Sequence, residues 1–247
     1  MKIAVMADGE VGRAIVRLLA ERHPQDICAV VVTDSGSVAD DIAATAADAH
    51  LPALRWRERS RLTDFQPDVL LLAWWPYILK GDDLSLAPIV LNTHPSLLPH
   101  CRGKDPNFWT LAEGRPFGVT IHHVEAAVDA GPIAFQKELP FDWEATGASL
   151  YAAGQKAMIE LVGESFPAIR AGAIPRHPQA AGEGSFHLRA ELDPASRIDL
   201  DAPTTARHLL NILRARTFPP HRACRFEDGG AHYEVRVEIR RLCGDDS

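Results

Sequence analysis

The chain has 247 residues, 46% hydrophobic and 24% charged, so it can bury a sizeable core and wholesale disorder is excluded. Its 26 basic and 33 acidic side chains leave a formal charge of −7, which argues against a nucleic-acid-binding protein. The sequence has no apolar run of membrane-spanning length and no signal-peptide pattern, and its four cysteines are scattered, with neither a disulfide framework nor zinc-ligand spacing. We therefore expect a cytoplasmic protein that binds neither nucleic acid nor a membrane.

The first part of the chain alternates short apolar runs with helical patterns. Strands are predicted at Lys2–Ala7, Ile27–Thr33, Asp68–Trp74, Pro88–Asn92, Val119–Val124 and Ile133–Leu139, and helices at Glu10–Glu21 and Val38–Ala49. Every position of Asp68–Trp74 after the aspartate is apolar, as in a central strand that is buried on both faces. This alternation predicts a mainly parallel α/β sheet.

The remainder predicts a long helix and then a smaller appendage. The helix covers Ala145–Ala171, and a Pro- and Gly-rich linker follows at Arg176–Ser185. A short helix at Pro203–Arg214 precedes a β-hairpin formed by Cys224–Glu227 and the alternating run Tyr233–Arg240. We predict a catalytic domain at residues 1–172 and a C-terminal extension at 173–247. The apolar face of the hairpin must pack either on its own domain or on a second copy in a homodimer.

Two polar side chains follow a predicted core strand together. Asn92 and His94 are two residues apart, so on an extended backbone they point to the same side. Pro95 favours an extended conformation at His94. Sites in parallel α/β sheets gather beyond the carboxyl ends of strands, so both side chains are candidates for a site.

A carboxylate follows a second strand, in the run GVTIHHVEAAVDAG that ends at Gly131. If the two strand ends are neighbours, Asp129 lies near Asn92 and His94. An amide and an imidazole stabilise an oxyanion, and a carboxylate fixes the imidazole and assists proton removal. This trio can transfer an acyl group to an amine without a metal. No metal site is expected, because His122 and His123 alternate across a strand and have no evident third ligand.

These motifs carry a family resemblance. N-x-H-P-S-L-L-P-x-x-R-G followed by G-V-T-I-H-x-V-x-x-x-x-D-x-G resembles the folate-dependent formyltransferases over the first two-thirds of the chain. The resemblance implies a Rossmann-like catalytic domain, 10-formyltetrahydrofolate as co-substrate, and catalytic roles for Asn92, His94 and Asp129. The runs Arg102–Ile133 and Leu213–Pro220 are most similar to nucleotide-sugar N-formyltransferases of polysaccharide biosynthesis. That similarity implies a nucleotide-linked amino-deoxysugar as the acceptor.

The resemblance also implies binding residues. The folate would lie between the loop containing Tyr77, Ile78 and Leu79 and a second wall at Val124. Candidate acceptor contacts are Asp8, Gly9, Ser96, Arg102, Lys104 and Asn107. The Ser96 hydroxyl better suits a hydrogen bond to local backbone, and Arg102-Gly103 equally suits a structural turn. The sequence departs from the family at Asp105, where relatives often have His, and at Ala126–Val128, which is less acidic than usual.

Other functions remain open at this point. The acceptor could instead be an amino acid, glycinamide ribonucleotide or Met-tRNA. A hydrolase would give the formyl group to water. A folate- or nucleotide-sugar-binding protein without activity fits least, since binding alone does not need the complete trio.

Overall fold

The computed structural model describes residues 1–180 and 182–242, so residue 181 of the predicted linker and residues 243–247 of the predicted extension lie outside it. The strands are β1 (Ile3–Ala7), β2 (Ile27–Val32), β3 (Ala53–Arg55), β4 (Val69–Ala73), β5 (Ile89–His94), β6 (Arg102–Gly103), β7 (Phe117–His123), β8 (Ile133–Leu139), β9 (Phe186–His187), β10 (Cys224–Asp228) and β11 (Ala231–Val235). The helices are α1 (Gly9–Arg22), α2 (Ser37–Asp48), α3 (Leu62–Phe65), α4 (Pro106–Glu113), α5 (Gly147–Arg170), α6 (Leu192–Ala195) and α7 (Ala206–Arg216).

A seven-stranded sheet has the order β3-β2-β1-β4-β5-β7-β8. Strands β3, β2, β1, β4 and β5 run parallel to one another, whereas β7 is antiparallel to β5. The predicted Rossmann-like, mainly parallel fold is therefore confirmed. The chain builds outward from β1 in one direction and from β4 in the other, which makes the gap between these strands a topological switch point. Ligands of open α/β sheets bind at such points.

The most apolar runs of the sequence form the central strands, where their side chains are buried. Every residue of β1 and β4 is buried. Helix α1 covers the sheet with Val11, Ile15 and Leu19, which recur every four residues and so share one helix face. At the start of α1, a Cβ on Gly12 would lie 2.8 Å from the backbone oxygen of Ala73, so only glycine allows this close packing.

The described residues form two compact units. One contains Met1–His94, Val119–Lys137 and Gln155–Gln179. The other contains Pro95–Gly118, Glu138–Gly154 and the described residues from Ala180 onward. The core of this second unit consists of Phe108, Leu111, Phe117, Leu150, Leu192 and Ala215. The domain boundary at residue 172 stays a prediction, since compactness alone does not define where functions divide.

The C-terminal hairpin forms, but its second strand is shorter than predicted. β11 ends at Val235, which pairs with Cys224 at the start of β10, instead of running through Tyr233–Arg240. At this end of the ladder the N–H of Ala223 bonds to the Glu234 side chain and not to the backbone of the opposite strand. The short strands β3, β6 and β9 were not predicted. None of the helices in the described part of the chain is long and apolar enough to cross a membrane.

Candidate active site

The pairing of β5 with β7 assembles three polar side chains on one face of the sheet. Asn92 lies opposite His122, and His94 lies opposite Thr120. Residues directly opposite each other in an antiparallel pair point to the same face, and so do residues two apart in one strand. Asn92, His94 and His122 therefore share a face. The expectation that the two strand ends are neighbours is wrong, because antiparallel pairing places His123, at the end of β7, opposite Leu91 and not opposite His94.

The loop after β7 brings a carboxylate to these groups. Asp129 Oδ2 lies 3.4 Å from His94 Nδ1, and Asp129 Oδ1 lies 3.5 Å from His122 Nε2. The side chains are largely buried, with 12% of Asp129, 6% of His94 and 2% of His122 exposed. Little water is left to screen them, so electrostatic interactions among these side chains are stronger than they would be at the surface. The structure thus brings the predicted trio together and adds His122.

His122 is the site residue that the sequence analysis missed. Its Nδ1 lies 2.9 Å from the backbone oxygen of His123, and a carbonyl only accepts, so Nδ1 carries a proton. In the neutral ring Nε2 then accepts from Asn92 Nδ2, 3.2 Å away. His122 thereby orients the Asn92 amide. The signal was present as the histidine of the second motif, but its role depends on a strand direction that the sequence does not state.

Gly131 allows the Asp129 loop to return against β7. A Cβ at Gly131 would lie 1.9 Å from the backbone oxygen of His123. That is the same oxygen that accepts from His122. Asp129 itself has a φ of 52°, a left-handed conformation that aspartate adopts more readily than most residues. The loop is therefore held close to the imidazoles by a contact that only glycine permits.

His123 points to the opposite face of β7 and has a different environment. Its Nε2 donates to the backbone oxygen of Pro175 at 2.8 Å, and its Nδ1 accepts from Arg176 at 2.9 Å. Burial lowers the pKa of His123 below its ordinary value of 6.5, and the Arg176 cation lowers it further. The ring is thus held neutral. The expected alternation of the two histidines across the strand fits this arrangement.

Asp8 and Gly9 lie at the switch point between β1 and β4. The Thr33 hydroxyl donates to Asp8 Oδ1 at 3.0 Å. Gly9 has a φ of 62°, and a Cβ there would lie 3.3 Å from the Trp74 indole. The backbone of Trp74 donates in turn to the Thr93 hydroxyl at 2.9 Å. Hydrogen bonds and packing therefore link the predicted acceptor contacts at Asp8 and Gly9 to the strand that carries Asn92 and His94.

The residues predicted to bind the co-substrate fall into two groups. Leu79 is buried, and Val124 packs against the same apolar cluster. Tyr77 and Ile78 are 44% and 60% exposed. The Tyr77 ring packs edge-on against Trp75, with centroids 5.5 Å apart. An exposed apolar and aromatic surface beside a buried cluster suits a flat aromatic ligand.

The other predicted acceptor contacts lie in the second unit. Ser96 donates to the backbone oxygen of His100 at 2.7 Å, and Asn107 donates to that of Gly147 at 2.9 Å. Arg102 belongs to β6, which pairs with β9, while Lys104 is exposed. The Arg102 Nε is buried without a hydrogen-bond partner in the described residues. A role of these four residues in substrate binding stays a prediction.

Across residues 1–180 and 182–242, no three His, Cys, Asp or Glu side chains are grouped so that they could hold a metal ion.

Comparison with known proteins adds family matches in both parts of the chain. Residues 1–164 match the family described as "Formyl transferase", and residues 191–241 match the "N-formyltransferase dimerization C-terminal domain". A dTDP-4-amino-4,6-dideoxyglucose formyltransferase from Mycobacterium tuberculosis is 37% identical over 151 residues. This alignment covers 60% of the chain but only 64% of that relative's length.

Solved structures resemble nearly the whole chain. A candidate sugar N-formyltransferase from Mycobacterium tuberculosis has a TM-score of 0.80 at 27% identity, over 98% of this chain and 99% of that one. An N-formyltransferase from Helicobacter canadensis, in complex with folinic acid and dTDP-3-aminofucose, has a TM-score of 0.74 at 16% identity. That likeness covers 93% of this chain and 85% of the other, and it shows the fold alone.

Proposed function

We propose that this chain, which belongs to the Formyl transferase family, moves the formyl group of 10-formyltetrahydrofolate to the amine of a nucleotide-linked amino-deoxysugar. The observation that carries the proposal is the buried group of Asn92, His94 and Asp129, with His94 and Asp129 3.4 Å apart. Family membership supports formyl transfer. The choice of a sugar acceptor is supported by the relatives and by the motif resemblance.

In this reaction the acceptor nitrogen bonds to the formyl carbon, whose oxygen takes up negative charge, and the bond from that carbon to N10 of the folate then breaks. Asn92 donates to His122 with one amide proton, which leaves the second for the oxyanion. His94 donates to the same oxygen through a ring N–H, and Asp129 beside Nδ1 holds the ring in place. Asp129 accepts the proton that the amine loses, directly or through water, and N10 of tetrahydrofolate finally receives it.

The co-substrate proposal rests on the surface formed by Tyr77, Ile78, Leu79 and Val124. Two of these side chains are exposed and two belong to or pack against one apolar cluster, so a pterin ring could lie between them. The Helicobacter canadensis relative has folinic acid, a formylated folate, in its complex. Tetrahydrofolate absorbs differently from its formyl form, so turnover can be followed directly.

The first prediction concerns Asp129→Asn. This variant keeps the shape of the side chain, but its uncharged amide cannot accept the proton that the amine loses. We expect kcat to fall by about 100-fold or more, as when a general base is lost, while folate binding is kept. Stopped assays with a dTDP-amino-sugar measure kcat. Calorimetric titration with folinic acid measures folate binding. Near-normal turnover in this variant would overturn the proposed roles.

The acceptor is tested with the unaltered protein. A panel of dTDP-, GDP- and UDP-linked amino sugars, an amino acid, glycinamide ribonucleotide and Met-tRNA would be compared by kcat/KM. A preference for a nucleotide sugar supports the proposal. Formate release without any amine would instead identify a hydrolase, and folate binding without turnover would identify a binding protein.

We also propose that the protein is a homodimer that assembles through its C-terminal part. The match of residues 191–241 to a dimerization domain supports this. So does the exposure of Tyr233 and Leu242, which are 47% and 77% accessible in the single chain. Large exposed apolar side chains on neighbouring segments are typical of a surface that a partner covers.

A further inference from the structure

Residues 175–179, which follow α5, are bound along the loop that carries Asp129. We call this segment the strap. His177 exchanges two backbone hydrogen bonds with Ile133, of 2.8 and 3.0 Å. Arg176 contacts His123 at 2.9 Å and Glu125 at 3.2 Å. The sequence analysis assigned most of this segment to a linker, but it is attached to both ends of the Asp129 loop.

The last residue of the strap makes the most direct contact with that loop. Gln179 Nε2 donates to the backbone oxygen of Asp129 and to that of Gly131, each at 2.8 Å. These two carbonyls lie on either side of Ala130. Because one nitrogen binds both, the peptide groups that flank the turn are fixed relative to each other. An amide nitrogen has two protons, so both bonds can form at once.

The position of Asp129 needs such support. Its backbone is left-handed, with a φ of 52°, and such conformations persist only where the surroundings hold them. Its carboxylate must also stay within reach of two separate imidazoles, at 3.4 Å and 3.5 Å. A small rotation of the loop would lengthen both distances. The two bonds from Gln179 oppose that rotation.

We propose that Gln179 is a positioning residue that holds Asp129 in its catalytic geometry. The assignment rests on the proposed function, and Gln179 touches no reacting atom in it. Gln179 contacts the loop through its amide N–H groups alone, because its Oε1 is buried without a hydrogen-bond partner in the described part of the chain. Leucine fills a similar volume without donors, and glutamate places carboxylate oxygens against two carbonyls. Both substitutions remove the two hydrogen bonds to the Asp129 loop, and glutamate also repels the two carbonyl oxygens.

The test compares Gln179→Leu with Arg176→Met, which detaches the strap from His123 and Glu125 but keeps the bonds to the Asp129 loop. In Gln179→Leu, kcat should fall about tenfold or more, because two hydrogen bonds that hold Asp129 are lost. The KM for 10-formyltetrahydrofolate should change by less than about twofold. Arg176→Met should lose less activity. In an Asp129→Asn background, Gln179→Leu should cost nothing further, because it acts through Asp129.

Hydrogen–deuterium exchange gives a readout that does not depend on activity. Peptides that span residues 125–133 should take up deuterium faster in Gln179→Leu than in the wild type or in Arg176→Met. Unchanged uptake in Gln179→Leu, or a further loss of activity on the Asp129→Asn background, would overturn the role. If the wild type transfers no formyl group, the proposed function fails while the exchange result still decides whether Gln179 holds the loop. Should Gln179→Leu fail to fold, Gln179→Asn, whose shorter amide does not span the same distance, replaces it.

Discussion

The His122 ring lies close to two other side chains of the candidate site. It contacts Asn92 through Nε2, and the same nitrogen lies 3.5 Å from Asp129. His122→Phe keeps a ring of similar size but removes both contacts and leaves the Asn92 amide without its acceptor. We expect kcat to fall about tenfold, the effect of losing one hydrogen bond to a charged or catalytic group.

A matched control for His122→Phe lies next to it in the strand. His123→Gln alters the opposite face of β7 and keeps one donor and one acceptor. Steady-state kinetics at neutral pH should show a large fall in kcat only for His122→Phe. Equal losses in the two variants would mean that β7 as a whole, and not the His122 ring, is what matters.

His123 makes the stability of the protein depend on pH. Its pKa in the folded state is lowered by burial and by Arg176, so the unfolded chain takes up a proton first as the pH falls below 6.5. The stabilising contribution is therefore complete above pH 6.5 and is lost as the pH falls towards the lower pKa of the folded state. Urea midpoints measured between pH 7.5 and pH 5.5 should decrease in the wild type. The decrease should be smaller in His123→Gln, which cannot be protonated, and an identical decrease in both proteins would rule out His123 as its source.

Strands β1, β2 and β4 are almost entirely buried, and their apolar runs predicted them to within one residue at each end. The predicted strand at Ile133–Leu139 matches β8, although its burial is mixed. Strand β3 was missed because it has only three residues and Ala53 is exposed, so no apolar run marks it. The antiparallel direction of β7 was missed for another reason, because pairing direction is decided by the chain's path between strands.

The proximity of Asn92, His94 and Asp129 was predictable because all three lie within two compact motifs, whereas the contacts of His122 and Gln179 were not. His122 gains its contacts only from the register with Asn92. Gln179 is 50 residues from Asp129 and stands in a segment whose composition is typical of a linker. The composition of a segment indicates that it lacks regular structure, but it does not indicate which residues of the protein that segment contacts.

At the scale of the whole molecule, residues 236–240 after β11 continue its alternation without a strand partner among the described residues. Val235, Val237 and Ile239 are half-buried, while Arg236, Glu238 and Arg240 between them are exposed. An alternating segment with one apolar side is suited to pack on a second copy, in agreement with the proposed homodimer.

The dimer prediction follows from that pattern. Replacing Val237 and Ile239 together by Asp places two charges on the apolar side, and we expect dissociation into monomers because buried unpaired charges are costly. The control replaces Glu238 and Arg240 by Gln on the exposed side and should remain dimeric. Light scattering after size exclusion gives the mass of each variant. A dimer that survives both pairs of substitutions would place the interface elsewhere on the molecule, and a monomeric wild type would reject the dimer itself.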